Sequence, residues 1–464
     1  MYFCCMQKNP RIWCLCGWFP ASSSPFAGNF IWRHALAVWR NLGSTELILF
    51  HFPTFLWGGM PPKPVGDDSG EWMIDTRYSL NYGYRWQEKG GNEDLVSGGP
   101  FSLSQNASIG KDGGELLLYF RPIVQFRSKF LSPINFLYYT IIVLYRLWRM
   151  NAILGKPKVI HLHVADKIGM PFWILKQLIW SKVRTYYTEH WAIFGTPVQD
   201  RYEKRNPVFR YYFRKVWANI DVAASISVFT HQWMQRTFHV AKRMIFFPNV
   251  VDTEQFKIQT LESETVQINL LHVSNFESRK RVLEIIAAFQ FWKENMSGDD
   301  GNRIKLTLVG AEREVLEKRI VSAENGGFLI HGKHQKIDLM DVDLIWKGKL
   351  VSEKVAEQMK SSHALVLFST AENAPCVISE ALCCGLPVIS NRLAGIPEML
   401  MHGENGVLIE DRIEALVMAI DALIHHYGFN RDYIAKAAHR NYAPKFAVQE
   451  LIESYQVEIH GGVS

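Results

Sequence analysis

The chain has little cysteine: seven in 464 residues, Cys4, Cys5, Cys14, Cys16, Cys376, Cys383 and Cys384. An odd number in tight clusters within a long chain argues against a disulfide framework. No Cys/His spacing matches a zinc site. The chain also lacks an apolar run of the ~20 residues that a membrane span needs. Its longest such stretch, Ile134 to Trp148, contains Asn135 and Arg146 and reads as a buried or interfacial helix. Lys8 and Arg11 precede only a short apolar segment before Gly17-Trp18-Phe19-Pro20, so no signal peptide is expected. Together these absences give the expectation of a cytoplasmic protein, compatible with a place at the inner face of a membrane.

What is abundant is apolar and aromatic. The composition is 48% hydrophobic and 21% charged, with 28 Phe, 17 Tyr and 15 Trp, as in a globular protein. At this length two domains are the default. The net charge of +6 is uneven: residues 1–266 hold 30 Lys and Arg against 19 Asp and Glu, whereas residues 267–464 hold 21 against 26. A first half at +11 and a second at −5 suggest that the first half meets something anionic, such as a lipid phosphate, a membrane surface or an acidic glycan. Arg201 to Lys215 sharpens this, with Arg201, Lys204, Arg205, Arg210, Arg214 and Lys215 interleaved with Tyr202, Phe209, Tyr211, Tyr212 and Phe213. Such a helix suits a membrane interface or an anionic acceptor, or it packs its aromatics inward. Nothing else in the chain resembles a nucleic-acid module, and no nucleic-acid partner is expected.

Strand-like and helix-like segments alternate almost throughout, which predicts an α/β fold with parallel sheets. First-half strands are expected at Ile12–Cys16, Glu46–His51, Leu116–Phe120, Lys158–His163, Val183–Thr188 and Val222–Ser227. Second-half strands are expected at Ile268–Val273, Lys305–Val309, Leu344–Lys347, Ala364–Phe368, Pro387–Ser390 and Val407–Ile409. The switch between two α/β units falls near Phe247 to Asp252, followed by a polar linker from Lys257 to Gln267. This gives an amino-terminal domain over 1–250, a second over 251–445, and a last helix in 446–464. Gln87 to Gly114 carries seven glycines and reads as a loop insertion.

The most informative segment runs from Ser369 to Leu382. A hydrophobic strand feeds it, Glu372 and Glu380 stand eight residues apart within it, and a helix over Val377–Cys384 follows. The loop offers backbone amides from Asn373 to Val377, and the helix turns its positive end back toward them. Two carboxylates on such a turn can hold a sugar hydroxyl, a diphosphate and a ribose together. Breaking a glycosyl–phosphate bond builds negative charge on the leaving group, and a fixed cation plus a helix amino terminus stabilises it.

Residues 364–410 resemble the donor-binding core of the retaining glycosyltransferase family 4, also called glycosyl transferases group 1. This core includes Cys384-Gly385-Leu386-Pro387, Ala394-Gly395-Ile396-Pro397-Glu398 and Gly403-Glu404-Asn405-Gly406. Phe247 to Phe256 is similar to that family's inter-domain segment. Leu271 to Asn275, followed by Lys280-Arg281-Val282, resembles its first carboxy-terminal strand and basic turn. Thr188-Glu189-His190-Trp191 resembles its amino-domain histidine, and Trp18 to Phe30, with Gly28, its glycine loop.

The resemblance implies the GT-B fold: two doubly wound, Rossmann-like domains across a crevice, the first binding the acceptor and the second a nucleotide sugar, with the last helix, 446–464, crossing back to the first. It implies that Glu372 contacts the donor sugar, Lys280 meets the diphosphate, and His190 touches the sugar or reaction centre. Glu380 would hold the ribose. Donor contacts are further expected from Asn373, Ala374, Cys376, Val377, Ser274, Asn275, Gly28 and Glu398. Asn275 stands where the family commonly has arginine, so one phosphate contact is either missing or supplied by Arg279 or Arg281. Ala394 stands where glycine is frequent. Glu189 could serve on the acceptor side, and His161 and His163 read as structural or, for one of them, as lining the acceptor cleft.

The implied reaction is retaining transfer of a sugar from a UDP- or GDP-sugar to a glycan or lipid-linked acceptor in cell-surface polysaccharide assembly. No cofactor and no metal are expected. A metal-dependent transferase would be expected to carry an Asp-x-Asp motif, and this reading takes the chain to have none. The alternatives are a non-catalytic sugar-nucleotide-binding protein on the same fold, or a phosphorylase or epimerase.

Overall fold

The apolar runs become the centres of two parallel sheets because side chains on both of their faces are covered. In the computed structural model, strands Arg11–Cys16, Glu46–His51 and Val159–His163 are buried almost throughout. The structure describes residues 10–17, 29–43, 45–56, 70–74, 83–88, 116–126, 131–195, 201–259, 267–296, 298, 303–322 and 327–460.

Nine strands form the amino-terminal sheet. Their spatial order is Arg243–Phe246, Val222–Ser225, Arg184–Thr188, Val159–His163, Arg11–Cys16, Glu46–His51, Leu116–Phe120, Gly83–Glu88 and Gly70–Ile74. The first seven run parallel, and the last two are antiparallel additions at one edge. The second sheet is wholly parallel, in the order Leu344–Gly348, Ile304–Val309, Ile268–Val273, Ala364–Leu367, Val388–Asn391 and Gly406–Ile409. In each sheet the first parallel strand of the unit lies between the second and the fourth. That reversal opens a crevice at the strands' carboxyl ends, where ligands of open α/β sheets bind.

Helices cover both faces of each sheet. Ser132–Leu154, Gly169–Leu178 and Pro207–Ala218 close one face of the first domain, and Asn29–Asn41 the other. The final helix, Gln449–His460, follows the second domain in sequence but packs in the first. Leu451, Ile452, Tyr455 and Ile459 join its core, and the Ser454 hydroxyl lies 2.6 Å from that of Tyr186. Glycine at position 17 is required by close approach, since a Cβ there would lie 2.3 Å from the Val164 carbonyl oxygen. Ala394 holds φ 47°, a left-handed conformation that glycine adopts more readily.

Three features differ from the sequence reading. Gln87 and Glu88 end a strand, not begin a loop, and 89–114 lie outside the described residues. Gly70–Ile74, Arg243–Phe246, the parallel pair Thr54–Leu56 and Ile123–Gln125, and the antiparallel pair Gly327–Ile330 and Lys333–Lys336 are additional strands. Gly28, with the rest of Trp18–Gly28, and linker residues 260–266 also lie outside the described residues. Among the described residues no helix is long and apolar enough to cross a membrane.

Candidate active site

The carboxyl ends of Ile268–Val273 and Ala364–Leu367 stand side by side, so the segments that follow them meet. After the first comes a turn through Ser278–Lys280; after the second comes the loop carrying Glu372. The Arg279 carbonyl accepts from the Thr370 amide at 2.8 Å, and its guanidinium donates to the Ala371 carbonyl at 3.1 Å. This brings Lys280 Nζ 2.5 Å from Glu372 Oε1. The side chains are only 12% and 6% exposed, which makes the contact more than a solvated surface pair.

The pair borders a cavity of about 1180 Å³ between the domains. Ser274, Asn275, Arg279 and Lys280 line it from the first turn, and Glu372, Asn373, Ala374, Cys376 and Val377 from the second. Phe30, His190 and Trp191 line it from the amino-terminal domain. Helix Cys376–Cys383 starts at this cavity with Pro375 as its cap and no side-chain capping bond. Its first amides are thus placed to meet an anion. Burial pushes the Cys376 thiol up to about 12, so it sits there as a neutral group. Of the two arginines expected to compensate for Asn275, Arg279 lines the cavity. Arg281 is stacked 3.8 Å over the Phe368 ring and paired with Glu284 and Asp411.

The domains are joined across the cavity floor. Asn373 Oδ1 accepts from the hydroxyls of Ser227 and Thr230, each at 2.7 Å, and its Nδ2 donates to the Glu189 carbonyl at 3.3 Å. Asn249 Nδ2 donates to the Ala374 carbonyl at 2.7 Å. Glu398, read from sequence as a donor contact, is engaged elsewhere. Its carboxylate accepts from the amides of Val228 at 2.7 Å and Phe229 at 2.6 Å, capping helix Val228–Phe238 of the other domain. Glu380 lies on helix Cys376–Cys383 and is ion-paired with Arg33 of helix Asn29–Asn41 at 2.6 Å. Arg33, Ser227, Thr230 and Asn249 were not singled out by sequence. Only Arg33 left a trace there, as a cation in the largely apolar run Phe30 to Leu36.

Histidines crowd the amino-terminal side. His190 follows strand Arg184–Thr188 and packs on Phe30, ring centroids 4.3 Å apart. His163 Nδ1 is 3.4 Å from His190 Nε2, and His34 Nε2 meets the Pro248 carbonyl at 3.1 Å. Ring nitrogens of His34, His163 and His190 fall within 4.8 Å of one another, close enough to share a transition-metal ion. His161 is used structurally, between the Tyr455 hydroxyl and Thr188 Oγ1. Glu189 is buried, accepts from the Tyr187 hydroxyl and the Trp191 amide, and lies outside the cavity lining.

Burial lowers the pKa of His34 to about 3 and depresses His161, His163 and His190. These imidazoles are neutral at pH 7, so His190 faces the cavity as a polar, uncharged group. The stability consequence has a definite sign. An unfolded histidine takes up a proton near 6.5 and the folded ones do so only well below, so their contribution is present above 6.5 and lost as pH falls. Burial raises Glu189 to about 7, which acts the other way: its contribution is present below about 4.5 and lost as pH rises through 7. The fully buried His34, His161 and His163 outnumber it, so the histidines set the sign below 6.5. The melting temperature is therefore expected to fall between pH 6.5 and 5.5. A flat or rising value by calorimetry would contradict this assignment.

The chain does contain an Asp-x-Asp triplet, Asp341-Val342-Asp343, so the sequence argument for metal independence loses that support. The triplet precedes strand Leu344–Gly348, at the amino end of the sheet, opposite the crevice. Lys293 pairs with both carboxylates.

Comparison with known proteins gives this geometry a family. Residues 253–440 match the family described as Glycosyl transferases group 1, and residues 85–255 match Glycosyltransferase Family 4. The chain belongs to the group 1 glycosyltransferases of family 4. It is 26% identical over 261 residues to N-acetyl-alpha-D-glucosaminyl L-malate synthase of Bacillus anthracis, covering 54% of this chain and 61% of that protein. In fold it is similar to a sucrose-phosphate synthase from Thermosynechococcus elongatus, with TM-score 0.60, 15% identity and 98% of each chain covered. It is also similar to Anabaena HepE in complex with UDP, with TM-score 0.56, 13% identity and 96% and 99% covered. The two sheets and their crevice are thus the GT-B arrangement. Glycosyl transfer is the activity of the family.

Proposed function

We propose that the protein transfers a glycosyl unit from a UDP- or GDP-sugar to a glycan or lipid-linked acceptor, with retention at the anomeric carbon and without a divalent metal. The acceptor would belong to cell-surface polysaccharide assembly at the cytoplasmic face of the membrane. The observation that carries the reading is the buried Lys280–Glu372 pair beside the open start of helix Cys376–Cys383, in a cavity that His190 closes from the other domain. The UDP in the similar Anabaena structure supports a uridine donor.

In this reading the diphosphate meets Lys280, Arg279 and the amides of Cys376 and Val377, which stabilise it as it leaves. The bond from the anomeric carbon to the diphosphate oxygen breaks, and the bond to the acceptor oxygen forms on the same face. The acceptor proton passes to the departing phosphate. Glu372 holds hydroxyls of the donor sugar, and neutral His190 donates or accepts a hydrogen bond without adding charge. Domain closure over the cavity excludes water and limits donor hydrolysis.

The test is the stereochemistry and metal demand of the product. Proton NMR of the linkage formed from an α-linked donor should show an α-glycoside, and excess EDTA should leave the rate within about twofold. A β-glycoside, or complete loss on chelation that added metal restores, would overturn the respective part of the reading.

A further inference from the structure

Helix Ser132–Leu154 buries one side in the first domain's core through Tyr139, Val143, Leu147, Met150 and Leu154. Its other side is apolar too. Ile134, Leu137, Tyr138, Ile141, Tyr145 and Trp148 are all exposed, Leu137 at 59% and Trp148 at 53%. At 100° per residue these six fall within one arc of about 100°, and from first to last they span about 21 Å of helix. A continuous exposed stripe of this kind differs from the scattered apolar residues of an ordinary surface and marks an interaction site.

The neighbouring elements carry further exposed apolar residues and a positive charge. The helix touches Pro207–Ala218 where Phe136 stacks on Tyr212 at 5.7 Å, and Gly169–Leu178 packs against both. That second helix exposes Val208 and Tyr211 among Lys204, Arg214 and Lys215. Residues 131–218 hold 14 Lys and Arg against 4 Asp and Glu, an excess of +10 where the whole chain has +6. An aliphatic and aromatic face bordered by cations matches the boundary between acyl chains and anionic headgroups.

We infer that this two-helix face seats the protein on an anionic lipid bilayer, with the stripe of Ser132–Leu154 entering the acyl boundary and the basic residues of Pro207–Ala218 meeting headgroups. The inference deepens the proposed function by naming the surface for its membrane contact. Its test needs neither donor nor acceptor, so each can fail without the other.

The experiment is co-sedimentation of the full chain with phosphatidylcholine vesicles, with and without 30% phosphatidylglycerol. Two variants accompany it: Ile141→Ser/Tyr145→Ser/Trp148→Ser and Arg210→Gln/Arg214→Gln/Lys215→Gln. Neither variant alters a residue assigned to the donor, and soluble-donor hydrolysis should be unchanged in both. The expected result is binding that depends on phosphatidylglycerol, at least tenfold weaker in the apolar variant and severalfold weaker, with a shallower salt dependence, in the charge variant. No binding by the wild-type chain, or equal binding by the apolar variant, would overturn the inference. So would light scattering showing a wild-type dimer that becomes a monomer in the apolar variant without any lipid binding, which would make the stripe a contact between copies.

Discussion

Glu372→Gln is expected to lower turnover by about 10²–10³-fold while donor affinity, measured by calorimetry, stays within a few-fold. The substitution keeps the side chain's volume and removes its charge. Lys280 then loses the partner 2.5 Å away that fixes its ammonium in a nearly closed site. A misplaced cation still attracts the diphosphate of a bound donor, but it no longer stands where charge develops as the glycosyl bond breaks. Lys280→Met should be comparably slow, because it removes the cation itself. The double variant should be little worse than either single one, since the two residues act as a unit. A Glu372→Gln enzyme within fivefold of wild type would show that the pair holds the loop and does not serve the reaction.

The second large effect concerns the contact between Arg33 and Glu380. If the donor's ribose hydroxyls take the Glu380 oxygen that Arg33 holds, Arg33 must release it. Glu380→Ala should then weaken nucleotide binding by about 10–100-fold, the worth of a hydrogen bond to a charged acceptor. Arg33→Ala should act with the opposite sign and tighten binding severalfold by removing the competitor. Guanidinium contacts with Ser352 at 3.3 Å and the Phe256 ring at 5.9 Å show that Arg33 has other partners nearby. Weaker nucleotide binding in both variants would instead make Arg33 a donor ligand and Glu380 the residue that orients it.

The alternation of elements was legible because central strands of parallel sheets are continuous apolar runs. Leu47 to Phe50 and Leu365 to Phe368 bury both faces, and nothing in their sequence competes with that reading. The edge strand Gly70–Ile74 and its neighbour Gly83–Glu88 escaped because they lie in a polar stretch interrupted by glycine. The pair Gly327–Ile330 and Lys333–Lys336 escaped because its second strand, Lys-His-Gln-Lys, carries no apolar alternation. Lys280, Glu372 and His190 could be placed together from sequence because each follows a strand whose carboxyl end must face the crevice. The inter-domain contacts could not. Ser227 with Asn373, Arg33 with Glu380 and Val228 with Glu398 join residues 146, 347 and 170 positions apart. No periodicity within either domain reports such a pairing. Glu398 shows the effect most clearly: the family resemblance implied a donor contact, whereas its carboxylate caps a helix of the other domain.

The most direct test of the account is a nucleotide-release assay over UDP-, GDP-, ADP- and TDP-sugars, with wild type and Glu372→Gln side by side. The account predicts slow release from one donor class, UDP or GDP, by the wild-type chain and loss of that release in the variant. Release that the variant retains in full, or no binding of any nucleotide by the wild-type chain, would contradict the assignment of the crevice as the site of glycosyl transfer.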